Sequence, residues 1–271
     1  MKYKKPNKPF KKKEQSFAKP RQNTGGGSSV KVSLWGWHAC FEAWHNPKRH
    51  IKELYLSNAA AERFAPEIQK ARKTELKRPE PKIIDPKVLD QSIKGDPVHQ
   101  GIAISCELLP EIDVQDLIIK TTEGKSLIVM LDQVTDPHNI GAIIRSASAF
   151  GAKAMVMQKK YAPQMDGVLA KIACGGLEHL PIAQVTNLSR AIEQFQEAGF
   201  FVVGLDERGD QDFEAAKQHD KIVLVLGAEG PRMRRLVAEH CDYLVALPTV
   251  PPILSLNVSN AAAVALFALK A

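Results

Sequence analysis

From Ser126 onward the chain alternates short, nearly pure apolar runs with amphipathic stretches, and this pattern most narrows what it can fold into. "SLIVMLD" (126–132), "KAMVMQ" (153–158), "FFVVGLD" (200–206), "KIVLVLG" (221–227) and "YLVALP" (243–248) read as strands. Between and after them, "NIGAIIRSASAFGA" (139–152), "NLSRAIEQFQEAGF" (187–200), "PRMRRLVAEHC" (231–241) and the apolar run from Asn257 read as helices. Gly151 and Gly199 are placed to close two of them, and Pro231 suits the first turn of a third. Strands that are apolar on both faces need cover on both faces. That requirement predicts an α/β fold with a mostly parallel sheet between layers of helix.

A chain of 271 residues exceeds the usual size of one domain, so a second unit is expected upstream. "WHACFEAWH" clusters apolar and aromatic residues, and Ala39, Phe41, Ala43 and Trp44 suit a helix opened by Gly36. "IKELYLSN" (51–58) and "GIAISCEL" (101–108) suit strands. "AAAERFAPEIQKARKTEL" (59–76) is expected to be helical in part and broken at Pro66. The expected organisation is an arm and linker over 1–29, a small α/β domain over 30–108, a linker over 109–123 and the main domain over 124–271.

Charge is unevenly distributed along these segments. Residues 1–22 carry nine Lys/Arg against Glu14, a net +8, while the remainder sums to −1. The arm ends in "NTGGGSS", and its Lys, Pro, Gly and Ser content predicts disorder. It serves either solubility or, better supported, contact with nucleic acid phosphates. It has no apolar stretch of the kind a secretory signal needs. Cys40, Cys106, Cys174 and Cys241 are widely spaced, which argues against a zinc site or disulfide scaffold and for reduced thiols in the cytoplasm. No apolar segment is long enough to cross a bilayer.

In a parallel sheet, ligands bind beyond the carboxyl ends of the strands. Three strand-end loops carry polar residues or glycine there. "DQVTDPHNIGAIIR" crowds Asp132, Asp136, His138 and Asn139 at a helix start, where Asn139 can serve as cap. Arg145 lies on a different helix face from Ile143, Ala147 and Phe150. On periodicity alone it can equally be a solvated charge. "LGAEGPRMRR" lets backbone approach a ligand closely and places Glu229 at a helix start. It is neither a dinucleotide nor a Walker fingerprint, which disfavours a Rossmann-type dehydrogenase. "LPTVPPILSLNVSNAAAVAL" puts Ser255, Asn257 and Ser259 before an apolar helix. One of them suffices as a cap, so the others are surplus.

In order and spacing, these three stretches closely resemble the three motifs of the SpoU (TrmH-like) branch of the SPOUT RNA 2′-O-ribose methyltransferases. Upstream, "LWGWHACFEAWHNPKRHIKELYLS" and "HQGIAIS" resemble the L30e-like RNA-binding domain of members that methylate a guanosine of 23S ribosomal RNA. The resemblance implies a C-terminal trefoil-knotted domain and S-adenosyl-L-methionine as methyl donor, with no metal. It implies cofactor contacts at Gly227, Leu247 and Leu256, and functional roles for Asn139, Arg145, Glu229, Ser255 and Asn257. It also implies a homodimer with active sites at or near the subunit interface, acting on RNA in the cytoplasm. Pro251 departs from the pattern, since the family usually has glycine there. Alternatives left open are a transfer RNA substrate and a non-catalytic RNA-binding or ribosome-assembly protein on the same scaffold.

Overall fold

The structure is a computed structural model that describes residues 30–74, 76–94, 98–121, 123–228, 230, 232–253 and 255–270. The expected basic arm and Glu229 lie outside the described residues.

The first unit contains β1 (Leu34–Trp35), α1 (Trp37–His45), β2 (Ile51–Leu56), α2 (Asn58–Arg72), β3 (Pro81–Ile83), α3 (Pro86–Ser92) and β4 (Ile102–Cys106). Its sheet has the order β1-β4-β2-β3, with β4 antiparallel to both neighbours and β3 parallel to β2. α1 opens after Gly36, as expected, and buries Ala39, Cys40, Ala43 and Trp44. α2 corrects the expected break, because it runs unbroken through Pro66. Pro66 is exposed, as is Glu62 one turn earlier, so water can satisfy the carbonyl that proline cannot bond. On the opposite face Phe64 is fully buried, edge-on to Trp44 at 5.6 Å between ring centres.

The expected linker holds a helix, α4 (Val114–Thr121), which buries Val114, Leu117 and Ile118 against the second unit. That unit continues with β5 (Ser126–Asp132), α5 (Pro137–Ala149), β6 (Ala154–Gln158), α6 (Gly167–Ile172), β7 (Ile182–Val185) and α7 (Leu188–Glu197). It ends with β8 (Phe201–Leu205), α8 (Phe213–Ala216), β9 (Lys221–Gly227), α9 (Arg235–Glu239), β10 (Tyr243–Val245) and α10 (Val258–Leu269). The six strands have the order β10-β8-β9-β5-β6-β7, and every neighbouring pair is parallel.

Every residue of β5 and β6 is buried, which is why their sequences show no polar alternation. Leu127, Val129 and Leu131 face a core shared with α5 and α10, while Ile128 and Met130 face α4 and α7. α9 is much shorter than the expected 231–241. Arg232 adopts a left-handed φ of 65°, and the backbone N–H of Arg234 donates to the buried carboxylate of Asp132 at 2.9 Å. Helix geometry therefore starts only at Arg235. No helix among the described residues is long and apolar enough to cross a membrane.

Candidate active site

β8 and β9 lie side by side, and their carboxyl ends open on a cavity of about 530 Å³. One wall is the end of β9 and the turn after it, through Leu226, Gly227, Ala228, Gly230, Arg232 and Met233. The other is the C-terminal segment before α10, including Leu247, Thr249, Ser255 and Leu256. Gly227, Leu247 and Leu256, predicted as cofactor contacts, thus share one cavity.

The glycine in this wall has a steric reason. A Cβ on Gly227 would stand 2.4 Å from the backbone nitrogen of Met233 and 2.7 Å from the carbonyl carbon of Arg232. The turn closes tightly over the strand end, with Arg232 N–H donating to the Ala228 carbonyl at 3.0 Å. Only a residue without a side chain allows that approach.

The surplus polar residues of the third loop divide their work. Asn257 is the cap of α10, its Oδ1 accepting from the N–H of Ser259 at 3.0 Å and of Asn260 at 3.4 Å. Ser259 turns its hydroxyl back to the same oxygen at 2.5 Å. Ser255 stands in the cavity wall. Asn257 also lines the cavity, and its Nδ2 donates to Oδ1 of Asn139 at 2.9 Å.

Asn139 is not the cap of α5. Asp136 takes that role, accepting from His138 N–H at 3.1 Å, because Pro137 presets the first helical position and so starts the helix before Asn139 is reached. Asn139 lies in the first turn, where its side chain can meet Asn257. Arg145, six residues later and about 9 Å further along the axis, is exposed on α5 and is not part of the cavity wall. Within one chain, then, Asn139, Ser255 and Asn257 converge with Gly227, Leu247 and Leu256, and Arg145 does not.

Three charged residues of the cavity escaped the sequence reading. Asp206 and Glu207 follow β8, and Arg232 follows β9. Asp206 is buried and holds Arg208 through two side-chain bonds of 2.7 and 2.8 Å, which keep its carboxyl below the usual carboxylate range. Glu207 forms an ion pair with Arg232. The signal was present in "GLDERG", since acids directly after an apolar strand mark a carboxyl end.

Residues 126–267 match the SpoU rRNA Methylase family, and residues 33–111 match the family described as RNA 2′-O ribose methyltransferase substrate binding. The chain belongs to the SpoU methylase family. Among its relatives, the 23S rRNA (guanosine-2′-O-)-methyltransferase RlmB of Pseudomonas putida is 38% identical over 228 residues, 82% of this chain and 89% of that protein. The protein of the same name from Haemophilus influenzae is 35% identical over 237 residues, 86% of this chain and 95% of that one. In fold the chain is similar to the SpoU methyltransferase AviRb from Streptomyces viridochromogenes, solved in complex with AdoMet. The TM-score is 0.70 at 24% identity, covering 88% of each chain. The SpoU-family region thus spans both walls of the cavity, and the substrate-binding match spans all of the first sheet.

Proposed function

We propose that this chain is an S-adenosylmethionine-dependent RNA 2′-O-ribose methyltransferase whose substrate is a guanosine of 23S ribosomal RNA. The observation that carries the reading is the convergence of Gly227, Leu247 and Leu256 on one cavity whose rim holds the Asn139–Asn257 bond.

The cavity fits the cofactor. Its volume is in the range of small-molecule sites, roughly 300–1,000 Å³. The bare backbone at Gly227 offers main-chain groups to a ligand, and Leu247 and Leu256 supply apolar walls. When bound, S-adenosylmethionine supplies a methyl group already activated by its cationic sulfur, so the reaction needs no metal for that purpose.

The remaining task is to place and activate a weakly acidic ribose hydroxyl. Ser255 and Asn257 are positioned to orient it, and Asn139 holds the Asn257 amide in place. Arg145 binds a substrate phosphate and stabilises negative charge developing on the ribose oxygen. It does so as a cation, because a guanidinium stays protonated in proteins. Glu229, by its place in the second motif, belongs to the same site.

Arg145 reaches a cavity in a homodimer. α10 leaves Val264 and Phe267 exposed, and Val250, Ile253 and Leu256 extend this apolar surface along the segment before it. A second copy on this face buries those residues and brings its own α5, with Arg145, toward the cavity. The C-terminal segment is read as the threaded part of a trefoil knot. In support, the loop after β8 wraps β10 so closely that a Cβ on Gly209 would stand 2.6 Å from the Leu244 carbonyl oxygen. From β10 at the sheet edge the chain then returns to pack α10 on α5. The site of action is the cytoplasm, where ribosomal RNA is found.

Mapping 2′-O-methyl groups in total RNA from cells with and without the protein tests the proposal. Loss of one guanosine mark in 23S ribosomal RNA is expected. A mark lost from transfer RNA instead moves the substrate. No lost mark, with no S-adenosylmethionine binding by calorimetry, leaves a non-catalytic RNA binder and refutes the enzyme.

A further inference from the structure

The segment from Asp166 to His179 lies between the first unit and α5. Toward the first unit, Glu178 receives Arg49 in a forked ion pair, Nη2 to Oε1 at 2.5 Å and Nε to Oε2 at 3.2 Å. Asn46 Nδ2 donates to the same Oε2 at 2.8 Å, and the remaining Arg49 nitrogen donates to the Glu107 carbonyl at 2.9 Å. The two side chains are only 1% and 2% exposed, unlike the other Lys and Arg ion pairs among the described residues, in each of which at least one partner is well exposed. Two further contacts flank the pair. His179 Nε2 and Glu42 Oε2 are 2.8 Å apart, and Gly167 N–H donates to the Ser33 carbonyl at 2.8 Å.

Toward the second unit, the same segment lies on α5. A Cβ on Gly176 would stand 3.2 Å from the Ile144 carbonyl oxygen and 3.3 Å from the Cα of Arg145. The backbone two residues before Glu178 therefore touches the turn of α5 that carries Arg145.

Burying two charges gains little stability, because desolvation offsets their attraction. What a forked guanidinium–carboxylate pair gives is geometry, since it fixes both separation and angle. We infer that Arg49 and Glu178 are positioning residues: their buried pair holds the RNA-binding unit in fixed register with the turn of α5 that presents Arg145. RNA gripped by the first unit then meets Arg145 at one defined offset. Neither residue touches the reacting atoms. The functional half of this inference rests on the methyltransferase reading; the geometric half does not.

The test replaces both partners together, Arg49→Met with Glu178→Met, so that no lone charge is left buried. Asn46→Ala, which removes one donor to Glu178, is the milder second variant should the double variant fail to fold. Spin labels carried on ketone side chains at Glu62 and Glu197, both exposed, report the spacing between units in full-length protein diluted with unlabelled copies. Wild type is expected to give a narrow distance distribution and the variants a broadened one. Turnover at saturating RNA is expected to fall at least tenfold in the double variant, since misplacement by about 1 Å can cost on the order of 100-fold. Calorimetric S-adenosylmethionine affinity and RNA affinity should stay within about threefold of wild type. A distribution as narrow as wild type, or wild-type turnover despite broadening, overturns the inference. If the wild type methylates no RNA, the methyltransferase reading fails, and the distance measurement still decides whether the pair sets the register.

Discussion

Asn257 and Asn139, 118 positions apart in sequence, are joined by a hydrogen bond of 2.9 Å between their side-chain amides. That bond ties the start of the last helix to the first turn of α5. Because Asn257 also caps α10, one residue serves stability and site geometry at once, and the two roles can be separated.

Asn257→Ser keeps a capping oxygen but is too short to reach Asn139. The Ala variant loses both functions. We expect Asn257→Ala to cost about 1 kcal/mol of stability and Asn257→Ser to cost only a few tenths, while both lose most methylation activity. Chemical denaturation and a methyl-transfer assay on the same preparations check this. A fully active serine variant would show that the Asn139 contact is dispensable.

Arg145→Ala should abolish turnover and leave S-adenosylmethionine binding intact by calorimetry, because Arg145 is outside the cavity of its own chain. Leu247→Arg fills the cavity, so it should abolish both S-adenosylmethionine binding and turnover. Mixing the two inactive variants and allowing subunits to exchange should restore roughly a quarter of the wild-type rate. Half of the dimers are then mixed, and each has one intact pairing. Failure of the mixture to recover activity would place Arg145 in the same chain's reaction.

Gly227→Ala must push a Cβ against the backbone of Arg232 and Met233. We expect a loss on the order of 1–3 kcal/mol in denaturation and at least tenfold weaker cofactor binding. Unchanged affinity would mean that the turn over β9 does not form the pocket.

Burial pushes the Cys241 thiol up to about 12, reinforced by Asp242, Asp132 and Asp206, and burial likewise raises Cys106 to about 11. In the unfolded chain both thiols ionise near their ordinary value of 9.0. As pH rises past that value the unfolded state loses protons first, so stability should fall progressively between about pH 9 and pH 12. Urea unfolding across that range, with Cys241→Ala as control, measures it. The control should show a shallower decline, and an identical decline would assign the effect elsewhere.

Deleting residues 1–22 removes a net charge of +8. RNA affinity should weaken, and the slope of log affinity against log salt should become shallower by about 0.7–0.9 for each phosphate the arm had neutralised. An unchanged slope would limit the arm to solubility.

The central strands were legible because burial on both faces leaves no polar residue between their ends, as in β5 and β9. The loops were legible because their polar residues and glycine exceed what turns require. Other features depended on contacts that no local pattern contains. α2 passes through Pro66 because Phe64 anchors one face while water serves the other. α9 starts late because Asp132, from a distant strand, takes the backbone of Arg234. Asp136 rather than Asn139 caps α5, since two polar residues three positions apart each satisfy the capping rule and only Pro137 decides between them. α4 was hidden in a stretch with acids at Glu111, Asp113 and Asp116, whose apolar residues find their partners only once β6 and β7 are assembled.

Because all six strands of the large sheet point the same way, the rear of the molecule is defined as sharply as its front. The turns at Gly124, Gly151 and Gly199 precede β5, β6 and β8 and face open space. An affinity peptide or fluorophore spliced at any of them would project from that rear surface. The protein could thus be tethered to a chip with its catalytic edge toward solution.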